Sequence, residues 1–189
     1  IRGMQSEGVI ATAKHFPGHG DTHGDSHHDA PVVHHARRRI EDVELRPFQE
    51  AIYVKVQAIM SSHIVYTALD EAEPATLSQT IMTDLLRNKM GFQGLIVTDA
   101  MDMHAVAKQG VENSLPKALK AGADLVLLGH IPDHIALMKQ FAHLANDSAL
   151  QRIAQARAAL SYERPPLSLV GQASHQQIAQ DIADASITQ

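Results

Sequence analysis

The feature that most constrains this chain is a recurrence. Four short apolar runs, each closed by polar residues, alternate with helical patterns. The runs are "GVIATAKHF" (8–16), "VQAIMSSH" (56–63), "GLIVTDAM" (94–101) and "ADLVLLGH" (123–130). Near-continuous apolar character is what a strand covered on both faces requires. Residues 40–54 place Val43, Phe48 and Ile52 on one helical face, with Pro47 limiting the start. Residues 78–90 offer Ser78 as an N-cap, Ile81, Leu85 and Leu86 as a stripe, and Gly91 as a stop. Residues 111–122 end in a glycine directly before the fourth run, and residues 134–145 and 150–163 are helical patterns with no strand after them. Such strand–helix repetition predicts an α/β fold with a parallel sheet.

The polar residues gather at the C-terminal ends of the runs: Lys14 and His15, Ser62 and His63, Thr98 and Asp99, Gly129 and His130. A (β/α)8 barrel carries its chemistry at that rim, whereas an open doubly wound sheet carries it at a switch point. A barrel needs about eight strands. Four units therefore mean an open sheet or one half of a barrel.

The bulk composition excludes several classes. The 189 residues carry a net charge of −5, with Lys and Arg scattered, which argues against nucleic acid or an anionic membrane as the main partner. No apolar run is long enough to span a bilayer. No charged-then-apolar leader opens the sequence, although it starts at Ile1 rather than Met, which leaves its natural start open. Cysteine is absent, so disulfide and thiol chemistry are excluded.

Histidine is the unusual residue: there are 13, seven of them between His15 and His35. Residues 14–28 read "KHFPGHGDTHGDSHH". A helix would stack His15, His19, His23 and His27, but Pro17, Gly18, Gly20 and Gly24 oppose one. The segment reads instead as a glycine-shaped loop leaving a strand end, a place where function often sits. A metal centre is the weaker reading, because no His-Glu-x-x-His helix or Cys pair accompanies the histidines. His23, His28, His34 and His35 fit a solvated polar loop. Proton transfer is the sharper reading. In an extended segment, Asp25 and His27 point the same way, and the carboxylate can fix the imidazole's tautomer and support its charged form.

Asp99 closes a buried apolar run in "GFQGLIVTDAMDM". It either N-caps the next helix or faces a pocket at a barrel rim. In a pocket, its carboxylate could attack an anomeric carbon or steady a developing cation.

These residues resemble glycoside hydrolase family 3, in its β-N-acetylglucosaminidase branch. "KHFPGHGDTHGDSH" is similar to the branch's signature, "GFQGLIVTDAM" to the family's nucleophile strand, and "SSHIVYTALDEAEPATLS" to the strand and loop between them. The resemblance implies Asp99 as catalytic nucleophile and His27 as general acid/base, paired with Asp25. It implies Lys14 and His15 as ligands of the terminal N-acetylglucosamine hydroxyls, His19 as a residue shaping the loop, and no metal or other cofactor. An imidazole suits the assigned role, since it titrates near neutrality.

The resemblance further implies the C-terminal half of a TIM-like (β/α)8 barrel, incomplete in this chain. Residues 1–163 would belong to the barrel domain, and residues 164–189 to a linker and the start of a C-terminal α/β domain. The first barrel strands and that second domain would act in cis. The expected activity is that of a retaining exo-β-N-acetylglucosaminidase, acting on peptidoglycan fragments or chitooligosaccharides in a bacterial cytoplasm, periplasm or cell envelope. The alternatives are a phosphorylase using the same covalent intermediate and an inactive sugar-binding remnant.

Overall fold

In the computed structural model, residues 1–22, 31–107, 110–160 and 166–186 are described. The strands are β1 (Thr12–Phe16), β2 (Val32–Val33), β3 (Ala58–Ser61), β4 (Val65–Tyr66) and β5 (Leu95–Val97). The main sheet is parallel in the order β1-β3-β5, with helices in the connections. The first three apolar runs are thus neighbours in chain order, as the repeat predicts, although each strand is shorter than its run.

The fourth run departs from a regular strand. It joins β5 through the parallel bridge Val97–Leu125. Backbone bonds continue on either side of that bridge, from the Asp124 N–H to the Ile96 carbonyl at 2.8 Å and from the Thr98 N–H to the Leu125 carbonyl at 3.0 Å. Side chains add to them: Asp124 Oδ2 accepts from the Ile96 N–H at 2.9 Å, and Thr98 Oγ1 accepts from the Leu127 N–H at 3.0 Å. Asp124 is buried and also receives Arg87 at 2.8 Å and Arg152 at 2.7 Å, so one carboxylate ties β5 to two helices. A second parallel pair, β2 with β4, was not expected; two residues are too few to show a period.

The expected helix over 40–54 divides. Residues Ile40–Glu44 form wide π turns, with the Leu45 N–H bonded to the Ile40 carbonyl, and an α-helix runs over Arg46–Tyr53. Val43 is exposed, contrary to its predicted core face; Ile40 and Leu45 are buried in its place. Phe48 meets Phe16 of β1 edge-on, with ring centroids 5.1 Å apart, an arrangement adding about 1 kcal/mol beyond area burial. The next helix, Thr80–Lys89, is also π-helical, and its 4- and 5-residue spacings keep Ile81, Leu85 and Leu86 buried together. Ser78 caps it, accepting from the Ile81 N–H at 3.2 Å. The helix Val111–Ala121 ends at Gly122 in the left-handed region (φ 113°), where a Cβ would meet Thr83 Oγ1 at 2.6 Å.

The remaining helices include Asp147–Ala158, which packs on β5, and Ala173–Ser186, which is exposed throughout. Among the described residues, no helix is long and apolar enough to cross a membrane.

Candidate active site

The C-terminal ends of β1, β3 and β5 lie side by side, and three expected site residues stand there. In β1 the register against β3 slips between Lys14 and Phe16. Such an irregularity re-aims a side chain, and His15 is the residue it displaces. Its Nε2 lies 3.4 Å from Asp99 Oδ2, beyond the end of β5. Both side chains stay partly open to solvent, at 24% and 21% exposure, so a ligand can reach them. Lys14 is exposed beside them. Burial lowers the His15 pKa below its usual value; Asp99 opposes this, while Lys14 and His19 add to it.

Among the described residues, no helix N–H donates to the Asp99 side chain. Its Oδ1 accepts from the adjacent Ala100 N–H at 2.8 Å, and the next helix begins at His104. The Asp99 carboxylate is instead partly exposed and turned toward His15. The neighbouring backbone is pinned: the Thr98 N–H donates to the Leu125 carbonyl at 3.0 Å, and Met101 N–H to that of Leu127 at 2.8 Å. Asp102 takes a separate task, accepting from the His130 N–H at 2.8 Å.

His63, at the end of β3, was noted in the sequence without a role. It is buried (1% exposed) and bridges two segments. Its Nε2 lies 2.9 Å from the Ala100 carbonyl and its Nδ1 2.8 Å from Thr76 Oγ1. A carbonyl can only accept, so Nε2 carries a hydrogen; the single Thr76 hydroxyl hydrogen is shared between His63 Nδ1 and the Ser62 carbonyl, 3.0 Å away. Thr76 in turn lies 2.7 Å from Ser61 Oγ. Burial lowers the His63 pKa, against the Ala100 hydrogen bond and the nearby Asp99 and Asp102 charges, with His15 adding to the lowering. The placement of His63 in a polar strand end was its visible signal; its partner Ala100 is 37 residues away.

The loop after β1 is held by close packing. Gly18 has φ 145°, and a Cβ there would meet Glu44 Cβ at 2.9 Å. The Tyr66 hydroxyl donates to the Gly18 carbonyl, and burial raises the phenol's pKa, preserving it as a donor. The His19 ring packs edge-on to His15 at 5.6 Å, consistent with a loop-shaping residue.

His35 stays partly solvated, as expected, but it is paired. Its Nε2 sits 2.7 Å from Asp21 Oδ2, and Glu44 completes a cluster of three groups able to ligate a metal. Arg39 supplies a positive charge there, donating to Glu44 at 2.9 Å and Asp21 at 3.5 Å. His34 is exposed, as expected. The expected acid/base pair, Asp25 and His27, lies outside the described residues, as do His23 and His28.

Comparison with known proteins identifies the family. Residues 1–160 match the glycosyl hydrolase family 3 N-terminal domain. A β-hexosaminidase A of Pseudoalteromonas piscicida is 34% identical across the whole chain, which spans 37% of that protein. A β-hexosaminidase of Haemophilus influenzae (strain PittEE) is 37% identical over 83% of the chain and 47% of its own length. The chain therefore spans less than half of these curated relatives. The structure of a glycoside hydrolase family 3 β-N-acetylglucosaminidase from Paenibacillus sp. str. FPU-7 superposes on the whole chain with a TM-score of 0.88 and 36% identity, over 39% of that protein. The chain belongs to glycoside hydrolase family 3 and carries part of its TIM-like N-terminal barrel.

Proposed function

We propose that this chain contributes the reacting face of a retaining exo-β-N-acetylglucosaminidase. The observation that carries the reading is the meeting of His15 and Asp99 at the ends of β1 and β5, with Asp99 partly open and its Oδ1 held by the Ala100 N–H. The names of the β-hexosaminidase relatives support the substrate class.

In this reading Lys14 and His15 hold the hydroxyls of a terminal β-linked N-acetylglucosamine. An Asp99 carboxylate oxygen attacks the anomeric carbon as the glycosidic C–O bond breaks. His27, oriented by Asp25, gives its proton to the leaving oxygen. The neutral imidazole then takes a proton from water, which attacks the same carbon and releases Asp99. Two displacements return the original configuration. The hydrogen-bonded segment on both sides of Asp99 holds the carboxylate near its target, as proximity catalysis requires. Peptidoglycan fragments and chitooligosaccharides both present such a terminus. Residues 164–189 would lead into a further α/β domain.

The test is proton NMR of freshly released sugar from the intact natural polypeptide acting on an aryl β-N-acetylglucosaminide. The β-anomer of N-acetylglucosamine is expected first, with no dependence on phosphate. Initial α-anomer would overturn the retaining reading, and a glycosyl phosphate product would overturn water as the acceptor.

A further inference from the structure

We propose that His63 is a positioning residue for Asp99, acting through the Ala100 carbonyl; the proposal rests on the reading of Asp99 as nucleophile. The geometry forms one continuous chain. Ser61 and Thr76 are joined at 2.7 Å, Thr76 and His63 at 2.8 Å, and His63 and the Ala100 carbonyl at 2.9 Å. Ala100 then donates its own N–H to Asp99 Oδ1 at 2.8 Å. Residue 100 is thus gripped at its carbonyl by β3's end while its amide orients the carboxylate.

The other side of this segment is bonded to the fourth run through Thr98 and Met101. His63 supplies the hold from the β3 side, so Asp99 sits between two anchored flanks. A carboxylate that must approach an anomeric carbon in line is sensitive to this, since a displacement of about 1 Å can cost roughly a hundredfold in rate. His63 is buried at 1% exposure, so it reaches the reaction through Ala100 rather than by touching the sugar.

The directionality of the imidazole gives a discriminating test. The amide nitrogen of Gln reaches the depth of Nε2 and can still donate to Ala100. The shorter Asn side chain reaches the depth of Nδ1 and can answer Thr76 alone. In the intact natural polypeptide, His63→Gln is expected to keep kcat within about threefold of wild type, while His63→Asn loses roughly ten- to a hundredfold. KM is expected to stay near wild type in both, because Lys14 and His15 are untouched, and the two Tm values are expected to be similar. Equal kcat losses in the two variants, or losses that follow Tm, would reduce His63 to a structural residue and overturn the proposal.

Should His63→Asn fail to fold, Thr76→Val provides the second test by freeing the imidazole from its other partner. It is expected to lower kcat without raising KM, and an unchanged kcat would overturn the proposal. Asp99→Ala is measured alongside. Near-normal turnover by that variant would defeat the nucleophile reading itself, and the positioning role with it. A dead Asp99→Ala beside a fully active His63→Asn would defeat the positioning role alone.

Discussion

The ends of β1 and β5 flank the end of β3 yet are built differently. Beyond β5, Asp99 stands in a segment bonded at Thr98, Ala100 and Met101, with buried Thr98 and His63 against it. Beyond β1, Lys14 is exposed, His15 is a quarter exposed, and the chain runs into a glycine-shaped loop. A group that must form and break a covalent bond gains from fixed backbone. Groups that receive a sugar must remain accessible. In the proposed function, the difference separates chemistry at β5's end from binding at β1's end, and kinetics can test that division.

The largest effect is expected at the anchored end. Asp99→Ala should lower kcat by roughly a thousandfold or more with little change in KM, the scale seen when one member of a reacting group is removed. Steady-state kinetics on an aryl β-N-acetylglucosaminide would check it, and near-normal kcat would erase the contrast. The foundation beneath β5 is tested next through stability. Asp124→Ala removes, among the described residues, the one carboxylate paired with Arg87 and Arg152, together with the side-chain partner of the Ile96 N–H, and should cost about 3 kcal/mol in urea unfolding.

At the open end, Lys14→Ala should lower kcat/KM by about ten- to a hundredfold, as expected for a lost charged hydrogen bond. That loss should fall mainly on KM; an equal fall in kcat would place Lys14 in the chemistry and blur the two regions.

The smallest effect concerns pH. Burial lowers the pKa values of His63 and His15 below the unfolded 6.5, while Asp99 and Asp102 face His63 and oppose the shift. The unfolded chain therefore binds more protons, and stability falls as pH drops below about 6.5. Unfolding midpoints at pH 7.5 and 5 should separate further in wild type than in His63→Gln, and equal separations would show that His63 does not contribute.

Much of this was legible in the sequence because it is local. The apolar runs marked β1, β3 and β5, and the polar residues closing them marked Lys14, His15 and Asp99. What escaped depends on distant partners. Asp124 interrupts an apolar run, but its side-chain bonds require Ile96 and two arginines brought in from helices. His63 meets Thr76 and Ala100, and His35 meets Asp21, only through the fold. The strands β2 and β4 have two residues each, below the length at which any pattern can register.

The most direct measurement is to identify the covalent intermediate. The intact natural polypeptide would be incubated with a fluorinated N-acetylglucosaminyl donor whose intermediate hydrolyses slowly, then digested and analysed by mass spectrometry. The expected result is one sugar-sized mass increase on the peptide containing Asp99, absent from Asp99→Ala. A sugar adduct on another residue, or turnover of the donor with no adduct under conditions that exhaust it, would contradict Asp99 as the nucleophile.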